Sequence, residues 1–279
     1  MVFRTGSENK FPVPDGDSLM QTVHAIALPR PLPMMPPVRP GLGAPLAFVT
    51  AALLCMMLES VPSFDRFFQA PFFTHGVWLV SDAFHTSHKA VLYTGPKVLI
   101  GITGGVFFLL FAALFHARIK HATRSAWEKP ALLVFLSIAL IPLAAASLKA
   151  LTGVHGPVDL QPYGGVFPHT GFVEQFARFG HGAGGRSFPA GHASGGFALM
   201  ALCRLPVSPA KRKALFLLGF TAGWGMGLYQ MARGEHFLSH TLTTMFLALA
   251  IISCLAARGL GTPPELRAGP VSAPPDPPE

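Results

Sequence analysis

Apolar residues in this chain fall in long runs rather than in the alternating or three-to-four spacing of soluble elements. A helix needs about 20 predominantly apolar residues to cross a hydrocarbon layer about 30 Å thick. Residues 44–62 form the first such run, with Glu59 near its far end, and residues 98–117 and 130–151 form the second and third. The fourth, 190–205, is short and rich in small residues; the fifth and sixth cover 214–233 and 236–257. The pattern predicts an all-α polytopic membrane protein, a six-transmembrane-helix bundle over residues 44–257.

Two connections break the pattern. Ser63 to Lys97 is dense in aromatics (Phe64, Phe67, Phe68, Phe72, Phe73, Trp78) and carries His75, His85 and His88. Such a mixture suits helices lying at a membrane interface, and these histidines are assigned there rather than to chemistry. Thr152 to Phe188 is a long loop rich in Gly, Pro and His, and loops of that length are usually functional or disordered. The ends, 1–43 and 258–279, are Pro-rich and are expected to be disordered cytoplasmic tails. The first lacks the form of a signal peptide.

Composition strengthens the membrane reading. The chain is 51% hydrophobic and 12% charged, against about 25% charged in soluble domains. The net charge of +8 raises nucleic acid as a partner. The basic residues, however, stand in short clusters between apolar runs, without interleaved aromatics, so they read as positive-inside loops. Six spans put both termini, 118–129 and 204–213 on one side, the cytoplasmic one. The stretches holding His155, His192 and His236 then open on the opposite, non-cytoplasmic face. Cys55, Cys203 and Cys254 lie in or beside apolar runs, with no metal or disulfide spacing.

Three polar stretches converge on that face: Lys149 to Asp159, Arg186 to Gly196, and Gln230 to His240. Lys149, Arg186 and Arg233 offer charge and donors to an anion such as phosphate. The backbone N–H groups of Gly191 and His192, at a helix start, add more. Two histidines can supply the nucleophile and general acid that cleave a phosphate ester through a phosphohistidine.

The order and spacing of these stretches resemble the type 2 phosphatidic acid phosphatase family, which includes the vanadium haloperoxidases. Its signature is K-x6-R-P, P-S-G-H and S-R-x5-H-x3-D. Lys149 to Pro157, Pro189 to His192 and Gln230 to His240 fall on the three parts. The resemblance implies a six-span fold with an outward-facing site, His236 as nucleophile, His192 as the acid for the leaving oxygen, and Lys149 on phosphate. It implies no metal or cofactor.

Four positions depart from the signature: Gly156 and Gln230 replace arginines, Ala190 a serine and His240 an aspartate. Arg233, three residues after Gln230, faces about the same way on a helix; Arg186 and His155 are also near the losses. A neutral His240 can accept a hydrogen bond from His236 but brings no negative charge, which Asp159 or Glu235 would have to supply. The expected function is hydrolysis or transfer of a lipid phosphate or diphosphate at the outer leaflet, in a bacterial inner membrane with the site facing the periplasm. Two alternatives stand beside it: a non-catalytic lipid-phosphate binder, and a His-rich metal-binding membrane protein in which His236 and His240, at i and i+4, hold the ion.

Overall fold

A computed structural model describes residues 41–122, 125–170, 174, 177 and 184–260, all within the unit Pro37–Val271. Of the two predicted tails, residues 1–40 and 261–279 lie outside the described residues. The fold is mostly helical.

Helix α1, Gly43–Glu59, is followed by α2, Pro62–Gln69. Pro62 opens α2, where its missing N–H costs nothing, and the chain bends by 86° between the two. A 3-10 turn, Ala70–Phe72, leads into a two-residue hairpin, β1 (Phe73–Thr74) and β2 (Val77–Trp78), paired antiparallel. His75 and Gly76 between them have φ of 53° and 79°, the doubly left-handed turn that matches strand twist. Helix α3, Asp82–Lys89, is capped by Ser81 and passes through a π turn, Ala90–Thr94, into α4, Gly95–His121. Helix α5 is Glu128–Thr152; α6 is Gly191–Ala198, continued as a 3-10 turn over Leu199–Arg204; α7 is Pro209–Ala232; α8 is Leu238–Ala257.

Three helical runs among the described residues are long and apolar enough to cross a membrane: Asp82–His121, Glu128–Asp159 and Leu238–Ala257. The bent α1–α2 pair makes a fourth if it counts as one span. The first run buries 11% of its most apolar stretch and the last 56%. Helix α4 therefore turns its apolar residues outward, as a lipid-facing helix does, and α8 is more central. These are the helices of a membrane protein.

The other two predicted spans are helical but differ from the expectation. Gly191–Arg204 measures about 24 Å by helical rise, less than the hydrocarbon layer. Its first eight residues are almost wholly buried against α5, α7 and α8. Helix α7 is long enough, but its glycines, Tyr229 and Gln230 dilute its apolar character.

Small residues let α6 sit in the middle. A Cβ on Gly196 would lie 2.5 Å from the backbone nitrogen of Gly223, so α6 and α7 touch backbone to backbone, the contact that small residues allow in membrane bundles. Phe197, Leu133, Ile141, Met200 and Ala248 close the core around this crossing. At the far end Arg118 pairs with Glu128 at 2.8 Å and ties α4 to α5. Gly196→Leu is expected to drive the two helices apart, with a loss of about 1–3 kcal/mol or more from overpacking. Thermal unfolding in detergent, read by loss of the monodisperse species, measures it; an unchanged midpoint would refute the tight crossing.

Candidate functional site

The 186–190 segment enters the helix layer without secondary structure of its own, so its backbone groups need partners. It finds them on two helices. The Ser187 N–H donates to Val154 O at 2.9 Å, and the Thr152 hydroxyl to Phe188 O at 2.8 Å. The Ala190 N–H donates to His240 O at 3.3 Å, and Thr244 Oγ1 donates to Ala190 O at 3.3 Å. Phe188 is fully buried. The end of α5, the start of α6 and the start of α8 are thereby held at one place.

Helix α8 has a cap that comes from far away in sequence. Its flanking residue, Phe237, has no capping side chain. The Asp65 carboxylate on α2 accepts instead from the Ser239 N–H at 3.0 Å and the Ser239 hydroxyl at 2.5 Å. A carboxylate at a helix N-terminus is favoured by the helix dipole. The result fixes the chain just after His236.

A cavity of about 440 Å³ opens at this junction. Lys149, Arg186, Gly191, His192, Arg233 and His236, six of the seven site residues expected from sequence, all line it. Lys149 crosses the start of α6. Its Nζ donates to Arg186 O at 3.0 Å, and a Cβ on Gly191 would lie 3.3 Å from that nitrogen. Arg233 is held from two sides, donating to Gln230 Oε1 at 3.1 Å and pairing with Glu235 at 3.2 Å. Gln230 thus braces a neighbouring guanidinium.

His236 is buried, and its Nδ1 has no hydrogen-bond partner among the described residues. Burial pushes its pKa well below the ordinary histidine value, and the Lys149 charge pushes further the same way, as do His240 and His192; the Ser187 backbone opposes them. The ring therefore stays neutral, with a free lone pair, at neutral pH.

The seventh residue, His240, does not line the cavity. It is fully buried, its ring meets Phe188 and Phe237 edge-on, and neither ring nitrogen has a partner among the described residues. Its centroid is 5.8 Å from that of His236, with no hydrogen bond between them. The expected bond from His236 to His240 is absent because two aromatic rings hold His240 in an apolar slot. Nor does a nearby carboxylate stand in. Asp159 sits 3.6 Å from His155 Nδ1 and accepts from the Gly156 N–H, and Glu235 is paired with Arg233. His155 stacks on Phe167 and is also away from the cavity.

Gly156 has a steric reason. A Cβ there would lie 2.6 Å from Glu235 O and 2.7 Å from the Ser187 hydroxyl. The loop after α5 lies so close to the loop before α8 that no arginine fits without moving both.

A family model described as the PAP2 superfamily matches residues 130–258. That part of the chain is similar to the PAP2 superfamily. No curated protein and no solved structure matches the chain. The PAP2 match runs from α5 to the end of α8 and contains all seven site residues named from sequence. Members of this superfamily are phosphatases, so phosphoester hydrolysis is the general activity indicated. Among the described residues no group of three or more His, Cys, Asp or Glu could hold a metal ion.

The cavity also has a wall outside the PAP2 match. His85, Lys89, Tyr93 and Lys97 line it, so His85 lies at the cavity and not, as its sequence surroundings suggest, at the membrane interface. The one signal available was their spacing of four.

Two outcomes follow. Gly156→Arg, which restores the signature arginine, is expected to lower both thermal stability and phosphate release, since overpacking costs about 1–3 kcal/mol; a gain in activity would contradict the close contact. In protein with ¹⁵N-labelled histidine, His236 should keep the chemical shifts of a neutral ring ~1 pH unit below the ordinary histidine value of about 6.5.

Proposed function

We propose that the chain is a membrane lipid phosphatase that cleaves a lipid phosphate or diphosphate through a phosphohistidine on His236. The observation that carries this reading is one cavity lined by His236, His192 and three cations from three separate stretches. Nδ1 of His236 is buried, which leaves Nε2 to face the phosphorus. In the first step Nε2 bonds to phosphorus, the ester P–O bond breaks, and His192, which takes up a proton once the negative phosphate lies among Lys97, Lys149 and Arg233, gives that proton to the leaving oxygen. In the second, neutral His192 takes a proton from water, the water oxygen attacks phosphorus, and the P–N bond breaks to release phosphate. Lys149, Arg186 and Arg233 hold the phosphate oxygens, with the N–H groups at the start of α6 as further donors.

A hydrocarbon chain has somewhere to go. An apolar cavity of about 610 Å³, lined by Leu92, Leu99, Ile100, Leu199, Leu202 and Met226 among others, lies between α4, the α6 continuation and α7. Tyr229 lines it too, and its hydroxyl hydrogen-bonds His85 of the polar cavity at 2.7 Å. The headgroup would sit in the polar cavity and the chain in the apolar one. The basic residues Arg118, Lys120, Lys129, Arg204 and Lys211 to Lys213 lie at the other ends of these helices. That distribution supports a six-span arrangement with the site on the non-cytoplasmic face.

One observation favours a second reading, a pocket that binds lipid phosphate without cleaving it. No carboxylate supports His236, and His240 is unpaired among the described residues. Phosphate release from a panel of lipid phosphates separates the two. Wild type is expected to turn over and His236→Ala to lose at least ~1,000-fold in kcat, as with loss of a covalent nucleophile, while still inserting and remaining monodisperse. Full activity in that variant would sink the mechanism, and binding without turnover in wild type would select the second reading.

A further inference from the structure

His85, Lys89, Tyr93 and Lys97 stand at intervals of four residues and line the same cavity. In a regular α-helix of 3.6 residues per turn, each step of four turns the side chain by about 40°. Four such residues would spread around roughly a third of the helix. The π turn Ala90–Thr94 lies between them. It takes an extra residue into one turn, undoes part of that drift, and is a form often found at functional sites. The segment precedes the PAP2 match, so none of its side chains belongs to the three signature stretches.

Two of these residues engage the site directly. The Tyr93 ring lies parallel to the His192 imidazole, centroids 4.4 Å apart and planes at 7°. Neither nitrogen of His192 has a hydrogen-bond partner among the described residues. The stack, with the Leu92 backbone beside the ring, sets its plane. Lys97 Nζ sits 3.8 Å from the Tyr93 ring centre, a cation–π contact that turns the ammonium toward the cavity instead of out to the headgroups. Behind Tyr93, His85 meets the ring edge-on at 5.7 Å and is tied to Tyr229.

The signature stretches have lost two cations. Position 156 has no room for a side chain, and Gln230 braces Arg233. We propose that the helix 85–97 replaces part of that loss: Lys97 binds the substrate phosphate, and Tyr93 is a positioning residue that holds His192 against it. This rests on the phosphatase reading above. Lys97 adds a charge-assisted donor on a wall outside the signature stretches, and Tyr93 stacks on the acid and holds its ring plane.

The test uses the full chain in detergent, with two readouts: steady-state phosphate release from a short-chain lipid phosphate, and binding of inorganic phosphate. Lys97→Met should raise KM and weaken phosphate binding by roughly tenfold or more, the effect of one charge-assisted hydrogen bond, with kcat little changed. Lys97→Arg should recover most of both. Tyr93→Leu should lower kcat by roughly tenfold or more, in the range of general acid catalysis, at unchanged KM and phosphate affinity, and Tyr93→Phe should behave as wild type. Lys120→Met, at the other end of α4, is the control. If wild type binds phosphate without turnover, the phosphatase reading fails. Lys97 is then judged by phosphate affinity alone, and Tyr93 by whether the ¹⁵N-histidine signals of His192 move in Tyr93→Leu but not in Tyr93→Phe. Unchanged phosphate affinity in Lys97→Met overturns the proposal, as does Tyr93→Leu that leaves both kcat and the His192 signals as in wild type.

Discussion

Everything at this site depends on the need to pair the backbone of residues 186–190 inside a helix layer. Residues 187–190 are buried, and an unpaired N–H or C=O there is expensive. The segment resolves this by donating to Val154 and His240 carbonyls and accepting from Thr152 and Thr244 hydroxyls. Two of these bonds come from the end of α5 and two from the start of α8, and all four hold the lead into α6. The three polar stretches meet because this extended segment finds partners where α5 ends and α8 begins. Asp65 adds the same logic from a fourth place, capping α8 right after His236.

The second constraint is charge. Lys89, Lys97, Lys149, Arg186 and Arg233 line one cavity, with Glu235 the single carboxylate among the described lining residues. Like charges repel more strongly in a medium of low dielectric. The Lys149 charge helps keep His236 neutral. In the proposed mechanism an incoming phosphate relieves that repulsion. The same field, in that mechanism, keeps the His236 ring neutral for attack.

The departures from the PAP2 signature also have physical shapes. At Gly156 the backbone of Glu235 and the Ser187 hydroxyl occupy the space of a side chain. Gln230 trades a positive charge for an amide oxygen that fixes Arg233. His240 gives up a carboxylate for a ring lodged between Phe188 and Phe237. The first two are matched by cations elsewhere on the cavity wall. The third leaves the His236 ring without a charged acceptor among the described residues, so its orientation falls to packing and the Ser187 backbone.

The sequence alone determined the class of the molecule and the meeting of the three polar stretches. Long apolar runs with basic loops are legible one segment at a time, because hydropathy is a local property. Lys149, His192 and His236 were legible because their spacing along the chain follows the signature. The sequence could not tell that Gly191–Arg204 is a short central helix, since an apolar run reads alike whether it faces lipid or protein. Nor could it tell what lies at Gly156, where the obstructing atoms belong to residues 187 and 235. The wall of Tyr93 and Lys97 was decided only in three dimensions. Its residues look like interface anchors until the π turn keeps them on one face and the fold sets that face against His192.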